Sequence, residues 1–178
     1  RSTRCNQSSC ITIASQIITK DFPMKKVKFG QTTKLLLIEE ETLFSQGDEG
    51  SDAYMIVSGR MNVFVDKKRV GSMTDGEVFG ELALLLNQRR SATIVTTTPT
   101  ELIQITKDDL NRIIDSASEE TKKMIMQLCE ALSKREEFQK VPFSVDDLMK
   151  NLEPENELIT KLAKQIFHRL DNSTAHIE

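Results

Sequence analysis

The spacing of apolar residues changes character three times along the chain. From Cys10 to Ile18 they fall at positions 10, 13, 14, 17 and 18, one face of an amphipathic helix. Pro23 and the basic run Lys25, Lys26 and Lys28 interrupt that pattern. Between Lys34 and Thr106 the signals are those of short strands: Lys34–Ile38, Glu41–Phe44, Ala53–Val57, Met61–Val65, Ala92–Thr96 and Leu102–Thr106, several rich in β-branched residues. Met61, Val63 and Val65 alternate with Asn62, Phe64 and Asp66, as on a strand with one face more deeply buried. Gly47, Gly50, Gly59, Gly71, Gly76 and Gly80 punctuate the region. Many short strands at tight spacing predict an antiparallel roll or barrel, and not a parallel sheet with crossover helices.

After Thr106 the helical period returns. Asp108–Asp115 sets Leu110, Ile113 and Ile114 on one side, and Ser118–Phe138 lines up Met124, Ile125, Leu128 and Leu132. Pro142 marks a break, after which Ser144 and Asp147 resemble a capping box opening a short helix through Leu152. Pro154 ends that helix; Leu158, Ile159, Leu162, Ala163, Ile166 and Leu170 then face one side of a last one. The expected organisation is a helical lead-in at 1–33, a strand-rich domain with its following helices at 34–140 and a helical extension at 141–178. The fold class is α+β, mainly β.

Composition narrows the function. A formal charge of −3, with 38% hydrophobic and 29% charged residues, suits a globular domain and does not suggest a surface that coats nucleic acid. The longest apolar runs, Leu35–Ile38 and Leu82–Leu86, fall far short of the roughly 20 residues of a membrane helix. Because the chain opens on Arg1, it is expected to be a segment of something longer, with any targeting or membrane portion elsewhere. Cys5, Cys10 and Cys129 have no metal-type spacing and read as reduced thiols of a cytoplasmic protein, or of the cytoplasmic side of a membrane protein. The sequons at Asn6 and Asn172 are accordingly read as silent, and His168 and His176 as ordinary surface or packing residues. No metal site, Ser-His-Asp order or Walker loop presents itself, so the expected chemistry is binding and not catalysis.

That chemistry concentrates between Phe79 and Ile94, which read Phe-Gly-Glu-Leu-Ala-Leu-Leu-Leu-Asn-Gln-Arg-Arg-Ser-Ala-Thr-Ile. Gly80 permits close backbone approach where a short apolar helix from Glu81 to Leu86 begins, and helix starts offer unpaired N–H groups to anions. Arg90 is a planar donor suited to phosphate oxygens, and Ser91 adds a hydroxyl. Glu81 suits a sugar hydroxyl and disfavours phosphate. Together they fit a small molecule with one negative charge and one sugar hydroxyl.

The run resembles the phosphate-binding cassette of cyclic-nucleotide-binding domains, with Arg89 where many members have proline. Upstream, Phe44-Ser-Gln-Gly-Asp48 resembles the family's turn, Ala53–Gly59 its strand, and Gly71 with Gly76 the approach to the cassette. The resemblance spans about 34 to 138. It implies an eight-stranded β-roll or jelly roll with flanking helices, and cAMP or cGMP as ligand with no further cofactor. In that likeness Glu81 would bind the ribose 2′-hydroxyl and Arg90 the cyclic phosphate. The backbone amides of Leu82, Ala83 and Ala92 would complete the cradle, and the base would pack near Val63 and Val70. The helix carrying Leu128, Leu132 and Arg135 would act as a lid. The implied partner is an effector domain or protein outside the segment, such as a channel, exchanger, kinase or exchange factor.

Plainer readings stand beside these. Arg89 and Arg135 suit a solvated surface, and Ser91 could serve only to turn the chain. A catabolite-activator-like transcription regulator would need a helix-turn-helix; Ser144–Leu170 offers two helical patterns, with Lys161, Lys164, His168 and Arg169 on the second. Yet Leu152-Glu-Pro-Glu-Asn156 is a poor tight turn, and no wing strands follow. A degenerate fold kept for protein contacts is a further alternative, against which the intact Glu81 and Arg90 argue. Serine after the arginine occurs in binders of either nucleotide, so Ser91 leaves cAMP and cGMP open.

Overall fold

Along Asp52–Ser58 successive side chains enter two different apolar environments. Ala53 and Met55 pack on one side, Tyr54 and Ile56 on the other. A strand buried on both faces is central, and the architecture follows from it. The structure is a computed structural model and describes residues 25–29, 32–134 and 141–174. Its strands are β1 Lys25–Phe29, β2 Thr32–Leu37, β3 Thr42–Phe44, β4 Asp52–Ser58, β5 Arg60–Val65, β6 Lys68–Thr74, β7 Val78–Phe79, β8 Thr93–Thr96 and β9 Thr100–Thr106. Helix α1, Glu81–Leu85, lies between β7 and β8; α2 Lys107–Asp115, α3 Glu119–Lys134, α4 Val145–Leu152 and α5 Glu157–Thr174 follow the strands.

All pairings are antiparallel. One sheet runs β1-β2-β9-β4-β7 and the other β3-β8-β5-β6. Strands β2–β9 form the mainly β roll expected from the sequence, with β1 added along β2. The basic run at Lys25–Phe29, to which hydrophobic pattern gave no element, is thus a strand. Leu35, Ile56, Phe79 and Leu102 from the first sheet meet Met61, Met73 and Ile94 from the second in an inter-sheet core. The second core lies behind β4, β7 and β9, where the helices cover the first sheet with Leu110, Ile125, Leu128, Leu148, Ile159 and Ile166.

The hairpin β5–β6 turns through Asp66 and Lys67, both at positive φ (48° and 65°), the conformation a two-residue type I′ turn demands. Gln46 holds that tip: its amide donates to Asp66 Oδ1 and its Oε1 accepts from Asp66 N–H. Helix α4 opens with the expected capping box, Ser144 Oγ accepting from Asp147 N–H and the Asp147 carboxylate from Ser144 N–H. Cys129 is a buried free thiol that behaves as a small hydrophobe, and burial pushes its pKa up.

Edge strand β7 would present unpaired backbone groups on its outer side. Helix α5 covers them with side chains. Val78 N–H donates to Gln165 Oε1 at 3.0 Å, and Gln165 Nε2 donates to the Gly76 carbonyl. Arg169 Nη2 donates to the Val78 carbonyl. One helical turn separates Gln165 from Arg169, so one stripe serves both the N–H and the C=O of Val78. The fully buried Ile159, Leu162, Ala163, Ile166 and Leu170 hold the helix there.

The helical pattern at 10–18, Cys5, Cys10 and Arg135 lie outside the described residues. No helix among the described residues is long and apolar enough to cross a membrane.

Candidate functional site

Arg90 is placed by the turn between β3 and β4. Gly47 N–H donates to the Arg90 carbonyl at 2.9 Å, and Arg90 N–H donates to the Asp48 carbonyl at 2.8 Å. Gly47 joins this reciprocal pair at a φ of +91°, a conformation that favours glycine, with open space where a Cβ would stand. Ser45 N–H donates to the Asp48 carboxylate and fixes the turn. The Phe44–Asp48 motif and the arginine that follows α1 are therefore parts of one unit. Arg89, by contrast, is exposed: it donates to the Gly47 carbonyl and pairs loosely with Glu49 at 3.4 Å.

The Arg90 side chain turns inward and is only 5% exposed. Nη1 donates to the Gly80 carbonyl at 3.0 Å and Nη2 to the Asp52 carbonyl at 2.7 Å. The guanidinium carbon lies 4.1 Å from the centre of the Phe44 ring. Phe44, Tyr54 and Phe79 form a tilted aromatic trio, with centroids 5.6 to 6.2 Å apart. Burial lowers the arginine's pKa, opposed by the fields of Tyr54, Asp52, Glu81 and Asp48. Burial likewise raises that of Tyr54.

Two glycines clear the slot. A Cβ on Gly50 would stand 2.6 Å from Arg90 Cζ and Nε, and one on Gly80 would stand 2.7 Å from Nη1. Gly80 also adopts φ +79°, which disfavours any side chain. It leads into α1, whose first residue is Glu81.

Glu81 is 1% exposed, an unusual setting for a carboxylate. Its Oε1 accepts from Arg169 Nη1 at 2.6 Å, an ion pair that reaches from α1 to α5. Its Oε2 is buried with no hydrogen-bond partner among the described residues, and the same holds for Arg90 Nε. Arg169 Nε is unmet as well, so the site holds one unmet acceptor and two unmet donors, each on a charged side chain. Unmet polar groups this deeply buried are costly and call for a partner, an ordered water or a bound ligand.

Of the other expected site residues, Ala83 is buried in the helix-side core and Leu82 packs against it half-buried. Ala92 packs on the inter-sheet core, while Ser91 is exposed. Val63 is half-buried on β5 opposite Gly71; Val70, at the β6 irregularity beside it, is 49% exposed. The sequence reading missed Arg169 as a member of this constellation and counted it instead among the cations of a candidate DNA helix. Its i,i+4 spacing from Gln165 was visible; its partner 88 residues upstream was not. Among the described residues no group of three or more His, Cys, Asp or Glu could hold a metal ion.

A family model described as "Cyclic nucleotide-binding domain" matches residues 37–117. Among solved structures, the cAMP-bound form of the EAL enzyme Bd1971 has a TM-score of 0.53 at 28% identity, covering 57% of this chain and 28% of that one. The cGMP-bound form of that enzyme has a TM-score of 0.54 at 24% identity, covering 74% of this chain and 34% of that one. The regulatory domain of Toxoplasma gondii PKA with cAMP has a TM-score of 0.43 at 22% identity, covering 53% and 46%. The chain spans about a third or less of the length of the EAL enzyme it matches.

Proposed function

We propose, from the match of residues 37–117 to the cyclic nucleotide-binding domain family, that this chain binds cAMP or cGMP and passes the binding event to an effector outside the segment. The observation that carries this reading is the pair of unmet groups, Arg90 Nε and Glu81 Oε2. A cyclic nucleotide supplies the complement of each: an anionic phosphodiester for the guanidinium N–H and a ribose hydroxyl for the carboxylate oxygen. Arg90 would take the phosphate with the backbone amides of Leu82, Ala83 and Ala92 around it. Glu81 would take the 2′-hydroxyl. The base would cover Val63 and Val70, whose exposure on β6 leaves it free to be covered. In this reading the segment's role is binding and its setting is the cytoplasm.

A DNA-reading helix-turn-helix is disfavoured by what α5 already does. Arg169 is committed to Glu81 and Val78, and Gln165 to Gly76 and Val78.

Isothermal titration of the chain with cAMP and with cGMP tests the proposal, together with Arg90→Ala. Loss of one partner of a buried charge pair costs about 2–5 kcal/mol, or roughly 1.5 to 3.5 decades of affinity. A folded Arg90→Ala that binds within about threefold of the parent, or a parent that binds neither nucleotide, overturns the reading.

A further inference from the structure

We infer that Arg169, on the C-terminal helix and outside the segment that the family model covers, is the positioning residue for sugar recognition: it holds Glu81 Oε1 and leaves Oε2 for the ribose hydroxyl. The inference rests on the cyclic-nucleotide reading above and deepens it. A carboxylate with two free oxygens can rotate and present either. Glu81 cannot, because Nη1 of Arg169 fixes one oxygen at 2.6 Å while Nη2 is tied to the Val78 carbonyl. One turn earlier Gln165 ties the same helix to the same strand, bonded to Val78 N–H and the Gly76 carbonyl.

An opposite role is conceivable, in which Arg169 blocks Glu81 and must leave before a nucleotide binds. Two observations weigh against it. Ile159, Ala163, Ile166 and Leu170 on the same helix are fully buried, so withdrawing α5 exposes a large apolar face. A hydroxyl's single hydrogen bond also returns less than the loss of a guanidinium costs a buried carboxylate. Arg169 therefore stays in place when the nucleotide binds, and the ribose adds to the pair without replacing it. It follows that a truncation ending with the roll lacks part of its own sugar site.

The test compares cAMP with 2′-deoxy-cAMP, and cGMP with its 2′-deoxy analogue, by titration calorimetry on the full chain and on Arg169→Gln, Arg169→Lys, Glu81→Gln and the Glu81→Gln/Arg169→Gln double variant. Arg169→Gln is expected to weaken the ribonucleotide about tenfold or more and the deoxy analogue less than about threefold. Arg169→Lys, which keeps the charge but gives up the fork, recovers part of the loss. The double variant loses no more than Glu81→Gln alone, since the two residues act on one hydroxyl. Tighter binding by Arg169→Gln, equal losses for both analogues, or additive losses in the double variant overturn the proposal. A wild-type chain that binds no nucleotide overturns the parent reading instead.

Should the substitutions unfold the chain, the wild type alone decides. At matched occupancy cAMP slows amide exchange across residues 163–170 more than 2′-deoxy-cAMP does. Equal slowing by the two overturns the assignment.

Discussion

The guanidinium carbon of Arg90 lies over the ring of Phe44, 4.1 Å from its centre, while both terminal nitrogens are tied to backbone carbonyls. An arginine side chain carries several rotatable bonds, and ordering it against a small anion would ordinarily oppose binding. Here the aromatic face and two carbonyls have ordered it beforehand. Phe44 also ends β3, next to the turn that exchanges backbone hydrogen bonds with residue 90.

Phe44→Leu should therefore weaken nucleotide binding while leaving the roll folded. The half-buried position tolerates an apolar replacement, but the cation–ring contact, worth about 0.5–2 kcal/mol, is lost. The expected drop in affinity is roughly twofold to thirtyfold. Calorimetry measures it, with circular dichroism as the fold control. Unchanged affinity would show that the two carbonyls alone suffice to order Arg90.

The cassette was legible because its parts are contiguous. Gly80, Glu81 and Arg90 fall within eleven positions, and α1 formed where the apolar run from Leu82 predicted it. Strands with buried faces were legible for the same reason: Leu35 and Leu37, or Ala53 and Ile56, imprint burial on sequence. Strand β6 was not, because Met73 is its sole buried residue and the rest of Lys68–Thr74 faces solvent. With only two residues, β7 is too short to carry a period. The deepest omission was Arg169. An ion pair spanning 88 residues is set by how α5 docks on β7, and nothing near position 169 records the carboxylate it meets. Val70 shows the converse: a residue matched by position whose surroundings stay open on the roll surface.

The capping box of α4 has a pH signature. The Ser144 hydroxyl and backbone N–H hold Asp147 below the usual carboxylate value. A depressed carboxylate pKa means stabilisation that is present above the unfolded-state value and lost as pH falls through the folded one. Ser144→Ala should thus lower Tm at neutral pH, and the gap between variant and parent should narrow as pH drops below about 4. Thermal melts across that range test it. A gap that stays constant down to acid pH would mean that the serine acts only through Asp147 N–H, without its partner's charge.

Transmission from the cassette toward the C-terminal helices needs a contact that senses the nucleotide site without touching it. One is present: Ser133 Oγ donates to Gln88 Oε1 at 2.7 Å, joining the last turn of α3 to the loop just before Arg90. Gln88 N–H in turn donates to the Ala83 carbonyl in α1. A nucleotide that tightens the cassette around Arg90 and Glu81 would restrain Gln88, and with it the end of α3. Its buried face, Ile125, Leu128 and Cys129, carries the restraint along the helix. Nucleotide is therefore expected to slow amide exchange both in residues 79–94 and in residues 124–134. Ser133→Ala should reduce the second effect while sparing the first. Hydrogen-exchange mass spectrometry of the two proteins, with and without nucleotide, reads both. Protection confined to 79–94 in the parent would leave the nucleotide held but not transmitted. Full protection of 124–134 in Ser133→Ala would place the transmission in the apolar packing and not in this hydrogen bond.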